Sequence, residues 1–330
     1  MNTVRWGIVG TGRMAAIMAT EIERMRPDGH RLTAVASRHH ETGRAFADRH
    51  RIANVWGCAG DLAADKDVDA VYIATPHVAH ADDMLACVRS GKAVLCEKPF
   101  TLDAAAAERV IDAARTRGVF VMEAMWTRFL PAVAALRGLL ATNEIGPVRM
   151  LVAGGAFVPE LPSGHYLLDR SLGGGVLLDA GVYLVSLASM ILGAPTAVHA
   201  TGRIGAHGVD EQDTVILQHG DGSDAVLYVS LRARRSPDLE VLGSRGRIRV
   251  GAPVFRPEQL TVWTPSRAES VQQYPVAGSG YGYQLEAVAD ALRAGASECA
   301  LMPLDETLSI LRTLDAIRAQ IGLTYPGEAR

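Results

Sequence analysis

Glu97-Lys98-Pro99 places a carboxylate and an ammonium directly after the apolar residues 93–96, which can form a buried strand. The proline restricts the residue before it and helps to end the strand. In an open α/β sheet, ligands bind at the carboxyl ends of the strands. If this part of the chain is a nucleotide-binding fold, Lys98 is therefore placed to meet both the cofactor and the reacting group. The structural alternative is an ordinary solvated Glu-Lys pair.

A second candidate group lies in residues 172–183, where a run of three glycines, Gly173 to Gly175, precedes an apolar segment. Glycines let the backbone pass close to a ligand. If residues 176–192 form a helix, Asp179 and Tyr183 share one face of it. We expect this apolar helix to be largely buried, and a buried carboxylate and phenol need hydrogen-bond partners. The pattern alone leaves open whether the two groups are functional or simply satisfy each other.

The elements that would position these groups begin with a predicted strand at residues 4–9. Gly10-Thr11-Gly12-Arg13-Met14-Ala15 follows directly and opens an apolar-striped helix. In this G-x-G-x-x-A fingerprint, Gly10 allows the tight turn, Gly12 lets the backbone approach a pyrophosphate, and Ala15 permits close packing of helix on strand. The first amides of the helix are available to phosphates. We predict a dinucleotide site here, with a structural glycine turn as the alternative.

The end of the second predicted strand, residues 31–36, bears on the choice of cofactor. Ser37-Arg38 follows it, where an NAD-binding fold usually has Asp or Glu for the ribose hydroxyls. Arg38 can pair with a 2′-phosphate, and no carboxylate repels that phosphate. The sequence therefore favours NADP over NAD. If Arg38 merely stacks on the adenine, both cofactors would fit.

Thr75-Pro76-His77 follows a predicted apolar strand at residues 68–74, and His80 comes shortly after. The proline fixes a turn at the ligand-binding edge of the sheet. The two histidines have no Cys or carboxylate companion at a spacing typical of metal sites. We therefore predict cofactor contact or a helix-capping role for His77 and His80, rather than a metal site.

Alternating strands and helices predict one parallel, doubly wound α/β sheet over residues 1–124. After residue 148, several short strands in series, two of them joined by the hairpin signal Asp221-Gly222, predict a mostly antiparallel sheet. We assign residues 1–124 to a nucleotide-binding domain and residues 125–330 to an α+β domain for substrate binding and oligomerisation.

Composition restricts the class of protein. The chain has 330 residues, 48% of them hydrophobic and 21% charged, with a formal net charge of −3. Such a length favours two domains, and the charge offers no basic surface for nucleic acid. We expect no membrane span and, from the start Met1-Asn2-Thr3, a cytoplasmic protein. The four cysteines lack metal-type spacing and are expected to be reduced.

Four motifs, in this order along the chain, resemble the Gfo/Idh/MocA oxidoreductases, and within them the glucose-fructose oxidoreductase and dimeric dihydrodiol dehydrogenase branch: Gly10 to Ala15, Ala74-Thr75-Pro76, Glu97-Lys98-Pro99 and Glu123 to Phe129. The resemblance implies a Rossmann domain and a second domain whose large sheet often forms the subunit interface, so we expect a homo-oligomer, either a dimer or a tetramer. It also implies a cis peptide before Pro99. His77 departs from the asparagine that relatives commonly have.

The resemblance further implies how a proton would move. Tyr183 would take the proton of a substrate hydroxyl while the hydride passes to the nicotinamide, and would return a proton in the reverse reaction. A phenol has a pKa of about 10, which the Lys98 ammonium would lower. Lys98 would also bond the nicotinamide ribose, and Asp179 would orient the substrate or the tyrosine.

Five further residues are assigned to the site through the resemblance. Trp126 and Arg128 would border the cofactor, with a core aromatic and a surface charge as the alternatives. Phe157, His165 and Tyr166 are candidates for shaping the substrate pocket. The complete set of predicted cofactor-binding residues is Gly10, Thr11, Gly12, Arg13, Met14, Ser37, Arg38, Thr75, Pro76, His77, His80, Glu97, Lys98, Trp126 and Arg128.

These observations predict an NADP-dependent oxidoreductase that acts on the CH–OH group of a sugar, vicinal diol or related carbonyl compound, with no metal. The alternatives are an NAD-dependent inositol or sugar dehydrogenase and a non-catalytic protein that senses NADP. The presence of both Lys98 and Tyr183 argues against the sensor, because a sensor needs no proton donor.

Overall fold

The computed structural model describes residues 3–162 and 164–328, and the chain forms two compact units. Unit 1 contains Met1–Trp126 and Ala277–Leu308, and unit 2 contains Thr127–Val276 and Ser309–Arg330. Residues 277–308 thus return to the first unit after the chain has built most of the second. The predicted division at residue 124 assigned this returning segment to the second domain.

Unit 1 is built on a six-stranded parallel sheet, as predicted. Its strands are β1 (Val4–Val9), β2 (His30–Ala36), β3 (Asn54–Trp56), β4 (Ala70–Ile73), β5 (Ala93–Cys96) and β6 (Val121–Glu123). They lie in the order β3-β2-β1-β4-β5-β6, so β1 and β4 are neighbours at the point where the strand order reverses. Strands β4 and β5 are buried along their whole length, which explains their continuous apolar sequence.

The described residues contain nine α-helices. The shortest, α3, has only six residues, so its apolar pattern is too short to predict a helix from the sequence. In α5, the Asp103 side chain accepts from the Ala106 amide at 2.7 Å, and Gly118 ends the helix in the left-handed conformation. The helices are α1 (Arg13–Arg24), α2 (His40–His50), α3 (Ala59–Ala64), α4 (His80–Arg89), α5 (Ala104–Arg117), α6 (Pro131–Ala141), α7 (Val182–Leu192), α8 (Gly282–Arg293) and α9 (Leu304–Ile321).

Unit 2 contains an eight-stranded sheet in the order β14-β13-β12-β11-β7-β10-β9-β8. Every neighbouring pair is antiparallel except β7 and β10, so the prediction of a mostly antiparallel sheet is confirmed. Helix α7 packs on β7 and β10. The strands are β7 (Val148–Ala156), β8 (Ala197–Ile204), β9 (Asp210–Gln218), β10 (Asp224–Ser230), β11 (Arg235–Gly243), β12 (Gly246–Val250), β13 (Gln259–Thr264) and β14 (Arg267–Gln273).

One segment of the described residues, Arg170–Leu192, is long and apolar enough to cross a membrane, although the sequence prediction named no such run. Of its apolar window, 61% is buried inside the protein, as in the core helix of a soluble protein. Met1 and Asn2, on which the prediction of a cytoplasmic location partly rests, lie outside the described residues. All four cysteines are free thiols, and only Cys58 is exposed.

Candidate active site

The turn between β1 and α1 contains two glycines that the structure explains differently. Gly10 has a φ of +108°, and a Cβ there would lie 2.6 Å from the carbonyl oxygen of Ala74, at the end of the neighbouring β4. A side chain at Gly10 is therefore excluded both by the backbone conformation and by the adjacent strand. Gly12 has a φ of −77°, and no described atom within 4 Å would meet a Cβ there. The open space beside Gly12 suits a pyrophosphate.

Helix α1 begins at Arg13, directly after Gly12, and no described side chain caps its first amides. Unbonded amides at a helix N-terminus attract anions. Thr11 and Met14 are partly exposed beside this turn, whereas Ala15 is fully buried, so its predicted role in close packing is confirmed. The fingerprint thus has the geometry of a phosphate cradle.

Ser37 and Arg38 lie directly after β2, as predicted. The Ser37 hydroxyl contacts the Thr42 hydroxyl at 3.0 Å and the carbonyl oxygen of His39 at 3.1 Å, which orders the turn before α2. Arg38 is exposed to solvent. No carboxylate side chain occurs at the turn itself, residues 37–40. The local arrangement leaves a guanidinium at the position where this class of fold binds the ribose that carries the 2′-hydroxyl of NAD or the 2′-phosphate of NADP.

His80 forms hydrogen bonds with the two loops that follow β4 and β5. Its ring is fully buried, with Nδ1 2.9 Å from the carbonyl oxygen of Pro99 and Nε2 2.9 Å from that of Thr75. Burial lowers the pKa of His80, so the ring is neutral at pH 7 and donates to only one of the two carbonyls at a time. His80 therefore positions Thr75 and Pro99 from beneath. The described residues contain no metal-binding cluster of three or more His, Cys, Asp or Glu.

Thr75 and His77 occupy the end of β4. The Thr75 hydroxyl donates to the Asp83 carboxylate at 2.8 Å, and burial raises the pKa of Asp83. Pro76 precedes a short 3₁₀ turn, His77–Ala79, and the half-buried His77 ring lies 5.7 Å from the His80 ring. Threonine and proline at this point thus form an ordered rim at the switch point of the sheet.

The peptide between Lys98 and Pro99 is cis, as the family resemblance implied. Glu97 is buried and accepts a hydrogen bond from the hydroxyl of Tyr72 on β4. Burial, followed by the charge of Glu97, raises the pKa of Tyr72 well above its usual value, so the phenol stays protonated as the donor. Lys98 is half-buried. Within the motif, the carboxylate of Glu97 is thus buried, whereas Lys98 is only half-buried.

Behind this motif, the carboxylate of Glu123 at the end of β6 accepts from the Phe100 amide at 3.1 Å and from the Thr307 hydroxyl at 3.2 Å. Trp126 is buried and stacks on Tyr281 with ring centroids 4.3 Å apart. Residues of the returning segment therefore support this edge of unit 1. The alternative of a core aromatic fits the burial of Trp126, and its contact with a cofactor stays a prediction.

In unit 2, Asp179 lies in a π-helical turn, Leu177–Gly181, that runs directly into α7. Asp179 and Tyr183 are both half-buried, and Asp179 accepts a hydrogen bond from the Tyr166 hydroxyl at 3.1 Å. π-helical turns within α-helices often mark functional sites. The predicted helix therefore has a distorted start, at the position where the candidate groups lie.

Arg128 is almost completely buried, rather than a surface charge. Its Nε donates to the Ser186 hydroxyl at 2.9 Å, and its Nη2 donates to the Ser186 carbonyl at 2.6 Å. Ser186 is one turn beyond Tyr183 on α7. Arg128 thus anchors the helix that contains Tyr183, and its predicted contact with the cofactor stays a prediction.

The aromatic side chains predicted around the substrate lie in unit 2. Phe157 and Tyr166 are exposed, and the His165 ring packs on Tyr166 with centroids 4.6 Å apart. Phe255, which the sequence analysis did not select, lies 6.1 Å from the Tyr183 ring and is 38% exposed. Its carbonyl accepts from Thr127 at 2.8 Å. Exposed aromatic surface near a half-buried tyrosine provides a wall for an apolar or ring-shaped ligand.

Comparison with known proteins decides the family. A family model for oxidoreductases with an NAD-binding Rossmann fold matches residues 4–125, and the GFO/IDH/MocA C-terminal domain matches residues 133–249. The trans-1,2-dihydrobenzene-1,2-diol dehydrogenase of Bos taurus is 35% identical, over 98% of this chain and 98% of that protein. The chain belongs to the Gfo/Idh/MocA oxidoreductase family. As a member of it, the protein is an NAD(P)-dependent oxidoreductase.

Other Gfo/Idh/MocA relatives extend over the same length. The Homo sapiens trans-1,2-dihydrobenzene-1,2-diol dehydrogenase is 34% identical, over 99% of both chains. A 3-ketoreductase from Actinomadura kijaniata, solved with NADP and TDP-benzene, is 28% identical with a TM-score of 0.84, over 97% of this chain and 98% of that one. A putative NADPH-dependent oxidoreductase from Desulfitobacterium hafniense has a TM-score of 0.88 at 22% identity, over 98% and 96% of the two chains, and shows the fold alone.

Two residues that support the candidate site of this Gfo/Idh/MocA protein, Tyr72 and Phe255, were not predicted from the sequence, for different reasons. Tyr72 lies within an apolar strand, where a phenol facing a buried carboxylate looks like any strand aromatic. Phe255 lies in an irregular segment between β12 and β13, which has no periodicity to indicate its direction. The only signal in the sequence was the hydroxyl of Tyr72 itself, a polar group within an otherwise apolar, buried strand.

Proposed function

We propose that this protein catalyses the NADP-dependent interconversion of a vicinal diol, or a related sugar hydroxyl, and the corresponding carbonyl compound. The observation that carries the proposal is the half-buried Tyr183 on a distorted helix start, next to Asp179 and the exposed ring of Phe255. A phenol in this setting can exchange a proton with a substrate hydroxyl. Full-length similarity to diol dehydrogenases supports the choice of a diol.

The cofactor-binding edge of unit 1 fits a phosphorylated dinucleotide. The open cradle at Gly12 and the uncapped start of α1 would hold the pyrophosphate, and Arg38 would pair with the 2′-phosphate. Lys98 would bond the nicotinamide ribose. When bound, the nicotinamide accepts or supplies the hydride. The 3-ketoreductase solved with NADP supports the preference for this cofactor.

The proton chemistry is assigned to the protein. In oxidation the Tyr183 phenolate takes the hydroxyl proton of the carbinol as its C–H bond breaks, leaving a carbonyl and a neutral phenol. In reduction the phenol returns that proton to the nascent alkoxide. Lys98 assists because a nearby ammonium stabilises the phenolate and lowers its pKa. Asp179, itself held by Tyr166, would orient the substrate hydroxyl.

A panel assay tests this proposal. The purified protein is incubated with NADP and trans-1,2-dihydrobenzene-1,2-diol, inositols or aldoses, and with NADPH and dicarbonyls, while NADPH absorbance is followed. We expect turnover with a trans-diol or dicarbonyl, and slower turnover with NAD or NADH. Turnover of inositols with NAD alone would replace the proposal by an inositol dehydrogenase. Tight NADPH binding with no turnover of any compound would favour the sensor.

We further propose that the outer face of the eight-stranded sheet forms an interface between copies of this chain. Met150, Ile216, Trp263 and Val271 are exposed on this face, and Ile216 and Trp263 alternate with buried neighbours along their strands. Arg247 on the same face lies 3.6 Å from both Glu240 and Glu269. Exposed apolar patches of this kind often mark protein interfaces. Light scattering should show a dimer or tetramer that Ile216→Asp dissociates, and a monomeric wild type would contradict the proposal.

A further inference from the structure

Asp210 and Asp213 on β9 are both fully buried, and the proposed reaction uses neither. In a regular strand, residues three apart point to opposite faces. The pairing of β8 with β9 is irregular here, because Ile204 pairs with Asp210 whereas the preceding residue, Arg203, pairs with Gln212. The extra residue, Glu211, forms a β-bulge that turns Asp210 to the same side as Asp213. Two carboxyl groups are thus brought into the core.

Asp210 contacts the start of the helix that contains the candidate catalytic groups. Its Oδ2 accepts from the Leu177 amide at 2.6 Å, where the π-helical turn begins. The first amides of a helix lack partners within the helix, and a carboxylate there satisfies them and interacts favourably with the helix dipole. No side chain from the helix itself caps this end. A remote aspartate therefore serves as the N-terminal cap.

The glycine run is shaped around this aspartate. Gly175 has a φ of +122°, and a Cβ there would lie 1.9 Å from Asp210 Oδ1. Gly174 accepts a hydrogen bond at its carbonyl oxygen from the Tyr325 hydroxyl at 2.8 Å. The glycines predicted to pass close to a ligand therefore also allow a close approach of the chain's own carboxylate. This part of unit 2 is fixed from the core side by Asp210 and Tyr325.

A proton on Asp213 lowers the cost of burying two carboxyl groups, because only one of them is then charged. Burial, and then the charge of Asp210, raise the pKa of Asp213 to about 9, so Asp213 is neutral at pH 7. Burial also raises the pKa of Asp210, but Asp213, and then the backbone amides of Leu177 and Val176, oppose that rise. Neither oxygen of Asp213 has a hydrogen-bond partner within the described residues, and Oδ1 of Asp210 has none either. The Asp213 hydroxyl is therefore free to face the Asp210 carboxylate.

Among the described residues, Tyr325 and Arg318 lie on this side of unit 2, and neither brings an unpaired positive charge to the pair. Tyr325 is buried, and its pKa is raised by burial and then by Asp210, so it stays a neutral phenol. Arg318, 5.1 Å from the Tyr325 ring, is paired with Asp315 at 2.8 Å and Glu328 at 2.7 Å. On β8, the backbone of Gly202 faces Asp213, since a Cβ there would lie 2.3 Å from Oδ1.

We propose that Asp210 and Asp213 are positioning residues for Tyr183: they hold one proton between them, and the resulting monoanion fixes the start of the segment that carries Asp179 and Tyr183. The inference rests on the proposed function only for the role of Tyr183. The hold on residues 174–183 is a property of the folded chain alone. It can therefore be tested without a substrate.

The proton makes local opening of this segment depend on pH. Asp213 has a raised pKa when folded, so the stability it contributes is fully present below its ordinary pKa, about 4, and is lost as pH rises towards about 9. Opening that exposes Asp213 to water releases this proton. By linkage, the opening equilibrium rises about tenfold per pH unit across that window. Above pH 9 the dependence disappears.

Hydrogen exchange of peptides spanning residues 174–183, corrected for the intrinsic rate, tests this dependence at pH 6 to 8.5. We expect wild-type protection to fall about tenfold per pH unit, and Asp213→Asn, whose amide can donate to Asp210 without titrating, to remain protected and flat. Glu144→Gln, an exposed carboxylate of the same unit, is the matched control and should behave as wild type. Equal slopes in wild type and Asp213→Asn would overturn the proposal.

A second measurement separates positioning from general stability. Asp210→Asn should lower kcat for NADP-linked oxidation of trans-1,2-dihydrobenzene-1,2-diol, while leaving the Kd for NADPH within about twofold, because the cofactor residues belong to unit 1. Asp213→Asn should keep kcat near wild type, whereas Asp213→Ala should not. Exchange slopes as expected, with no turnover by the wild type, would support the buried pair and reject only the proposed function. Unchanged kcat in Asp210→Asn would reject the positioning role.

Discussion

Residues 174–183 of unit 2, the proposed catalytic segment, and the proposed cofactor edge of unit 1 are held in different ways. At the cofactor edge, backbone contacts and a neutral ring set the conformation: Gly10 lies against the carbonyl of Ala74, and His80 spans two loop carbonyls. The catalytic segment depends instead on a carboxylate and a phenol from other parts of unit 2. Asp210 is 33 residues from the amide it binds, and Tyr325 is 151 residues from its partner.

This difference teaches where local sequence patterns are sufficient. A phosphate cradle needs glycines, a helix start and a short turn, which all lie within a few residues. A half-buried tyrosine keeps its position only if the core packs against the helix that carries it, and several strands contribute residues to that core. We therefore expect substitutions at the cofactor edge to alter binding and those at the catalytic segment to alter turnover.

The largest effect is expected from Tyr183→Phe. Removal of a general acid and base typically costs about 10²- to 10⁴-fold in rate. The phenyl ring keeps the packing against Phe255. We therefore expect kcat to fall by about that factor, with the Kd for NADPH unchanged in a fluorescence titration. If kcat falls less than fivefold, Tyr183 is not the proton donor.

Two glycine substitutions compare steric and binding roles within one turn. Gly10→Ala forces a side chain into a left-handed backbone and against Ala74, so we expect a loss of about 1–3 kcal/mol or more in the free energy of unfolding. Gly12→Ala meets no described atom and should leave the Tm of the apoprotein unchanged while weakening NADPH binding. Thermal unfolding and NADPH titration of both variants check this contrast. Equal stability of the two variants would contradict it.

Arg38→Ala tests the choice of cofactor. A hydrogen bond to a charged group contributes about 1.5–3 kcal/mol, so the Kd for NADPH should rise at least about tenfold. The Kd for NADH, which lacks the 2′-phosphate, should stay within about twofold. Arg44→Ala, an exposed arginine on α2, is the matched control. A parallel loss for NADH and NADPH would indicate that Arg38 stacks on the adenine instead.

The smallest effect is expected from Tyr166→Phe, which removes the hydrogen bond to Asp179. A single hydrogen bond contributes about 0.5–1.5 kcal/mol net, and this one is partly exposed, so kcat/KM should fall only about two- to tenfold. Tyr274→Phe, which loses a bond to Gln272 elsewhere in unit 2, should have no effect. A loss as large as that of Tyr183→Phe would make Tyr166 the catalytic phenol.

Much of unit 1 could be predicted from the sequence because its strands are continuous apolar runs and its turns carry recognisable motifs. The parallel sheet is confirmed, the fingerprint residues lie between β1 and the start of α1, and Glu97-Lys98-Pro99 lies at the end of β5 as expected. The return of residues 277–308 to unit 1 was not predictable, because nothing in an amphipathic helix such as α8 states which sheet it covers.

In unit 2 the antiparallel sheet was predictable from alternation, but the support of the catalytic segment was not. The β-bulge at Glu211 shifts the face to which Asp210 points, and a strand pattern gives no sign of such a shift. β14 has no apolar alternation that would indicate a strand, because its residues are largely polar and exposed. The hydrogen bond between Tyr166 and Asp179 was likewise not predictable, because it joins a loop to a helix.

The most direct test of the central claim is the pH dependence of kcat/KM for diol oxidation with NADP, in wild type and Lys98→Met. A base must be deprotonated to act, so the wild-type rate should rise with pH through a pKa below the value of about 10 for a free phenol. Loss of the ammonium should move this rise to higher pH. An identical profile in Lys98→Met would contradict the account, because Lys98 would then have no influence on the phenol that exchanges the proton.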